Sequence, residues 1–209
     1  LGDVYKRQVK TEIGESCMEK NIKTASKGVR SMYEWLEEIV FALVAVILVF
    51  TFLFRVVTVT GKSMLPNFVE GEKVVVTNLG HDIEQGTVVV VTNVLEEPII
   101  KRVIATEGQT VDIDYDTGTV YIDGEALNET QFGIENGITF HPYDGYEALV
   151  FPQTVPKGCV FVLGDNRTVS RDSRYAEIGM IDTRHIMGEA VFTLYPFDRF
   201  GFVKTNENN

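Results

Sequence analysis

At 209 residues, 44% hydrophobic and with 18 glycines, the chain can bury a core and is expected to hold one domain plus an appendage rather than disorder. Its formal net charge of -11 excludes the basic face a nucleic-acid binder needs. Two cysteines, Cys17 and Cys159, are too few for a disulfide framework, and His81, His141 and His185 have no metal-ligand spacing, so neither a metal nor a cofactor is expected.

The first residues, "LGDVYKRQ", resemble read-through at the end of a translated sequencing contig, so residues 1–8 are set aside as an artefact and Met18 is read as the start. The run "IVFALVAVILVFTFLF", residues 39–54, has Thr51 as its only polar member. Sixteen residues are slightly short for a bilayer. Leu36 before the run, "VVTV" after it and a snorkelling Arg55 extend it, and Tyr33 and Trp35 stand where an interfacial aromatic belt would lie. A cleaved signal peptide would need a small-residue step after the run, and "FRVVTVTGK" offers none. The expected organisation is a cytoplasmic segment over 1–35, a transmembrane anchor over 36–56 and an extracytoplasmic β domain over 57–209. Lys20, Lys23, Lys27 and Arg30 precede the run, and the positive-inside rule leaves that end in the cytoplasm. Cys159 then faces an oxidising compartment without a partner and is expected to be buried as a small hydrophobe.

Beyond the anchor the pattern changes to short β-branched and aromatic runs bounded by Gly, Asn, Asp or Pro. Strands are expected at 73–78, 87–93, 98–106, 110–114, 119–124, 159–165 and 189–197, with "DTG" at 116–118 turning a hairpin. Such a series predicts a mostly β fold, an antiparallel sheet forming a partly closed barrel-like domain. Residues 125–157 have weaker periodicity and read as an excursion from it.

"TGKSMLPNFVEGEKVVV", residues 60–76, places Ser63 in a polar loop. A serine hydroxyl is a poor nucleophile until a base removes its proton. No histidine here has a persuasive context, which turns attention to a neutral lysine, and that requires a desolvated amine. Lys101, within "PIIKRVIA", has four branched apolar neighbours inside three positions. Strand alternation separates its amine from Arg102. A strand lysine that blunts a sheet edge remains the competing reading. Lys62 would point away from Ser63 in an extended loop, and Lys73 reads as solvated.

A third stretch, "GDNRTVSRDSR" over 164–174, reads by itself as a polar turn with surface ion pairs. Taken with the other two, it makes the chain similar to the bacterial type I signal peptidases. "GKSMLPNFVEGE" resembles that family's nucleophile box, "IIKRVIATEGQTV" its lysine box, "TVYIDGEALNE" its following hairpin and "LGDNRTVSRDSR" its carboxy-terminal signature, in order behind an apolar run and over roughly residues 30–200. The resemblance implies a serine endopeptidase of the cell membrane that removes signal peptides from preproteins, with preproteins and membrane lipid as its partners. It implies Ser63 as nucleophile and Lys101 as general base, with Ser170 orienting the amine and Asp172 and Arg174 holding the site. Asp165, Asn166 and Arg167 would shape the supporting turn, and Met64 and Pro66 would fix the nucleophile loop. The Ser63 backbone N–H would serve the oxyanion hole. Many Gram-negative members carry a serine where this chain has Gly61, which suits the Gram-positive pattern, and eukaryotic relatives have histidine where it has Lys101. The alternatives are another Ser/Lys maturation peptidase and a non-catalytic, membrane-tethered β interaction domain. Nothing in the sequence sets the oligomeric state.

Overall fold

The computed structural model describes residues 31–78, 83–143 and 145–205. His81, Cys17, Met18 and the basic residues before Ser31 lie outside the described residues. Two compact units divide at residues 52 and 53.

The first unit holds all but the last residue of helix α1, Ser31–Leu53, whose 23 residues are long and apolar enough to cross a membrane. Its large apolar side chains are exposed, and the single polar side chain in the run, Thr51, donates to the Ile47 carbonyl at 2.7 Å, so it leaves no unmet donor. The helix starts and stops earlier than the expected anchor. Arg55 and "VV" after it do not prolong α1, because Phe54–Thr58 forms strand β1, paired antiparallel with β2 (Lys73–Thr77) from Phe54↔Thr77 to Thr58↔Lys73.

The second unit is built on two antiparallel sheets. β3 (Val88–Val91), β4 (Ile99–Ala105), β9 (Cys159–Leu163), β10 (Ile181–Asp182) and β11 (Ile186–Tyr195) join β1 and β2 in the order β1-β2-β11-β3-β4-β9-β10, with β12 (Gly201–Phe202) pairing on β11. This sheet is open, with β1 and β10 at its two ends. The smaller sheet runs β7 (Glu125–Ala126), β6 (Thr119–Ile122), β5 (Thr110–Asp114), β8 (Gln153–Thr154). The expected excursion over 125–157 thus supplies both edges of that sheet and a 3-10 turn at Glu129–Phe132.

Strand alternation accounts for the core. Val88 and Val90 of β3 pack with Val74, Val76, Ile100 and the loop residues Met64 and Phe68, while Val89 and Val91 pack with Val103, Val160 and Val162. A third cluster, Ile104, Val111, Ile113, Val120, Phe161 and Leu163 among them, joins the two sheets. β4 is therefore covered on both sides, and every residue from Ile100 to Ala105 is buried. At Gly188, where β11 comes alongside the end of β2, a Cβ would sit 2.5 Å from the Thr77 carbonyl oxygen, so only glycine allows the strands so close. Cys159 differs from expectation: at the first position of β9 it is half-buried against the third cluster.

Candidate active site

The connection between β1 and β2, residues 59–72, carries Ser63. Its ends are fastened by the Val59 N–H to the Glu72 carbonyl and the Gly71 N–H to the Val59 carbonyl, at 2.8 and 2.9 Å. Met64 and Phe68 drop into the first core cluster, which turns Ser63 the other way, and the Phe68 N–H closes a turn on the Met64 carbonyl at 2.9 Å. Gly61 takes φ 82°, a left-handed conformation natural to glycine, just before the serine. Pro66 is exposed beyond the turn.

Lys101 lies mid-way along β4, opposite Val89. It is only 2% exposed, and its Nζ sits 3.0 Å from Ser63 Oγ and donates to the Ile100 carbonyl at 2.8 Å. Burial strips water from the ammonium and lowers the lysine pKa to about 8, against the opposing pull of Asp172 and Asp165. Lys62 and Lys73 are exposed, as their solvated reading expects.

The stretch after β9 folds around this pair. The Asn166 backbone N–H donates to the Ser63 carbonyl at 2.9 Å and its side-chain amide to the Lys62 carbonyl at 3.1 Å, so the turn grips the backbone at Ser63 itself. Asp165, buried, accepts a two-pronged pair of 2.8 Å bonds from Arg102 and a third from the Asn67 amide. Asn67 also donates to the Phe132 carbonyl at 2.8 Å, joining the Ser63 loop to the excursion. Asp172 accepts from the Gly164 N–H and from the Arg174 guanidinium at 2.9 and 3.0 Å. Arg174 reaches on to the carbonyls of Phe140 and Arg167. Arg167 donates to the Gly164 carbonyl at 3.0 Å and pairs with Glu129, whose carboxyl burial pushes above its usual range. These buried charges are compensated in pairs, the condition under which they are tolerated away from water.

Ser170 is placed differently from the role the resemblance implies. Its Oγ is buried without a hydrogen-bond partner, and the second acceptor of the Lys101 amine is the Ile100 carbonyl. Ser170 is close to the site all the same: a Cβ on Gly164 would stand 2.1 Å from its Oγ and 2.6 Å from the Ser63 carbonyl oxygen. Absence of a side chain at Gly164 is what lets the stretch over 164–174 close on Ser63.

The structure thus gathers Ser63, Lys101, Asp165, Asn166, Arg167, Ser170, Asp172 and Arg174 into one connected region. Sequence reasoning missed Arg102, Asn67 and Glu129. An arginine inside an apolar strand was a signal for a buried partner, whereas Asn67 and Glu129 sit in polar loops and carry none. Among the described residues no group of three or more His, Cys, Asp or Glu side chains is placed to hold a metal ion.

Comparison with known proteins matches residues 32–195 to the family described as signal peptidase, peptidase S26. The chain is 33% identical over 191 residues to signal peptidase IB of Staphylococcus aureus strain MRSA252, an alignment covering 86% of this chain and 97% of that one. It is 32% identical over 191 residues to signal peptidase I of Bacillus amyloliquefaciens, covering 90% and 96%. A crystal structure of a signal peptidase I from Enterococcus faecalis V583 is similar at 28% identity and a TM-score of 0.41, over 52% of this chain and 97% of that chain.

Proposed function

The chain belongs to the signal peptidase family, peptidase S26, and we propose that it is a membrane-anchored serine endopeptidase that cuts signal peptides from secreted preproteins with a Ser63–Lys101 dyad. The observation that carries the dyad is the 3.0 Å approach of a buried Lys101 amine to the Ser63 hydroxyl.

The geometry supports the following chemistry. With the amine neutral, Ser63 O–H donates to the Nζ lone pair. As Oγ attacks the scissile carbonyl, its proton passes to Nζ, and the oxyanion is met by the Ser63 backbone N–H. Collapse of the tetrahedral intermediate breaks the C–N bond, and the Lys101 ammonium returns the proton to the leaving amine. The acyl-enzyme ester then takes a water whose proton again goes to Lys101, which releases the cleaved signal peptide and restores the Ser63 hydroxyl. The Ile100 carbonyl fixes the amine on its strand, and Asp165 and Asp172 hold the surrounding turn.

Helix α1 supports a single crossing of the cell membrane. The four basic residues ahead of it, Lys20, Lys23, Lys27 and Arg30, favour a cytoplasmic N-terminus and an extracytoplasmic β domain. In this reading the residues before Ser31 are the cytoplasmic segment, helix α1 is the anchor in place of the expected 36–56, and the catalytic domain begins with β1 at Phe54 and not at 57.

A preprotein with alanine at the two small-residue positions before its cleavage step, incubated with the full chain in detergent micelles, tests the activity. The mature product should begin immediately after the second alanine, by mass spectrometry. An uncut preprotein, or one cut within its mature part, contradicts the proposal.

A further inference from the structure

Arg199 lies past residues 32–195, the part of the chain that matches the family. It ends the 3-10 turn Phe197–Arg199, between β11 and β12. From there its guanidinium turns back onto the loop that carries Ser63. Nη2 donates to the Pro66 carbonyl at 3.2 Å and to the Asn67 carbonyl, the third and fourth residues after the serine. Nε, buried and without a hydrogen-bond partner, stands 3.6 Å from Oε2 of Glu72. Glu72 is itself 1% exposed and accepts the Val69 N–H at 2.8 Å and the Thr193 hydroxyl at 2.9 Å. One arginine therefore bridges the crest of the loop and the buried carboxylate at its base.

The segment around Arg199 is itself fastened. β12 pairs on β11 through Phe192↔Phe202, and the Val203 N–H donates to the Val191 carbonyl at 3.1 Å. Past it, the Lys204 carbonyl accepts from Arg102 Nη1 at 3.2 Å, and Arg102 is the neighbour of Lys101 on β4. The carboxy-terminal strap thus touches the nucleophile's loop at one point and the lysine's strand at another.

We infer that Arg199 is a positioning residue for the Ser63–Lys101 pair, setting the Ser63 loop from outside the matched region; the inference rests on the dyad reading. Asn67 shows how the constraint works. Its side chain is bonded to Asp165 and Phe132, its backbone carbonyl to Arg199, so the crest of the loop is held from two sides. Loss of the Arg199 contacts leaves the crest held from one. The reacting atoms must be kept close to attack geometry, and displacement of about 1 Å can cost on the order of a hundredfold in rate. A loosened loop also admits water to Nζ, which undoes the burial that keeps the amine available as a base.

The test uses the full chain in detergent, with kcat, KM and the pH profile measured on a preprotein, and with thermal unfolding measured alongside. Arg199→Ala should lower kcat by roughly ten- to a hundredfold with KM within about twofold, and should move the rising limb of the pH profile upward. Arg199→Lys, which keeps one cation near the carbonyls and Glu72, should recover part of the kcat. Arg184→Ala, removing an exposed arginine paired with Asp182, should behave as wild type. Wild-type kcat and an unmoved pH profile in Arg199→Ala overturn the inference, whatever happens to its Tm. If Arg199→Ala does not fold, Arg199→Lys decides: reduced kcat with an upward-shifted limb supports the inference, and wild-type kinetics overturn it. Ser63→Ala keeps the two claims apart. Cleavage that survives it removes the dyad reading, whereas a dead Ser63→Ala beside a fully active Arg199→Ala removes only the role of Arg199.

Discussion

In the proposed dyad Lys101 makes the sharpest demand on experiment, because as general base only its neutral form could take the Ser63 proton. With the amine at about 8, roughly a tenth of the enzyme is competent at pH 7, half at pH 8 and nine-tenths at pH 9. The value of kcat/KM should therefore rise about tenfold from pH 7 to pH 9 and then level off. A lysine at its ordinary 10.5 would give about a hundredfold rise over the same interval, still climbing at pH 9. The assay is initial-rate cleavage of a preprotein in detergent at fixed ionic strength from pH 6 to 10, with thermal unfolding at each pH to show that the protein stays folded. The cause of the shift is burial, so the limb should barely move with salt, since a buried group is poorly screened. A profile that is flat between pH 7 and 9, or one that keeps rising tenfold per unit to pH 10, would refute the argument from desolvation.

The same burial costs stability. The folded protein gives up the Lys101 proton at about 8 and the unfolded chain at 10.5, so between those values the unfolded state binds more protons and stability rises with pH. Below about 8 the whole penalty is present, up to about 3 kcal/mol from the difference in pKa. Lys101→Met should accordingly be inactive yet raise the unfolding temperature at pH 7, with the gain shrinking as pH approaches 10.5; an equal gain at pH 7 and pH 10 would contradict this. Gly164→Ala should lower kcat by about a hundredfold, because its Cβ would press on Ser170 and on the Ser63 carbonyl. Gly164 has no left-handed φ, so the loss measures crowding and not backbone strain, and wild-type kcat in the variant would show that the turn can give way.

Seven of the strands were legible in the sequence, β2, β3, β4, β5, β6, β9 and β11, because valine- and isoleucine-rich runs between turn residues have few other uses. β1 was not, because "FRVVT" continues an apolar run without a break, and only its pairing with β2 makes it a strand. β7, β8, β10 and β12 are two residues long and carry no period to read. β11 begins at Ile186, three residues before its sequence limit, directly after a short 3-10 turn at Thr183–His185 that leaves no apolar signal. At the site, Lys101 stood out in the sequence as the lysine most easily desolvated, with a sheet-edge lysine as its competitor, and it was the resemblance to the signal peptidases that coupled it to Ser63; the 3.0 Å approach of the two side chains is visible only in the fold. The ion pairs around them were not legible either, since Arg102–Asp165 and Arg167–Glu129 join residues that are 63 and 38 positions apart and only the closed fold brings them together. Ser170 shows the limit of transfer by resemblance: the implied role was to orient the Lys101 amine, while in the fold its hydroxyl makes no bond to that amine and lies beside Gly164.

The central claim is that Ser63 and Lys101 act as one unit, and the most direct measurement is cleavage of a preprotein by wild type, Ser63→Ala, Lys101→Ala and Lys101→Arg, each shown to be folded. All three variants should be inactive, Lys101→Arg included, because a guanidinium does not lose its proton in the working range. Turnover by Lys101→Arg would remove the general base, and cleavage by Ser63→Ala at the wild-type rate would remove the nucleophile and the dyad with it.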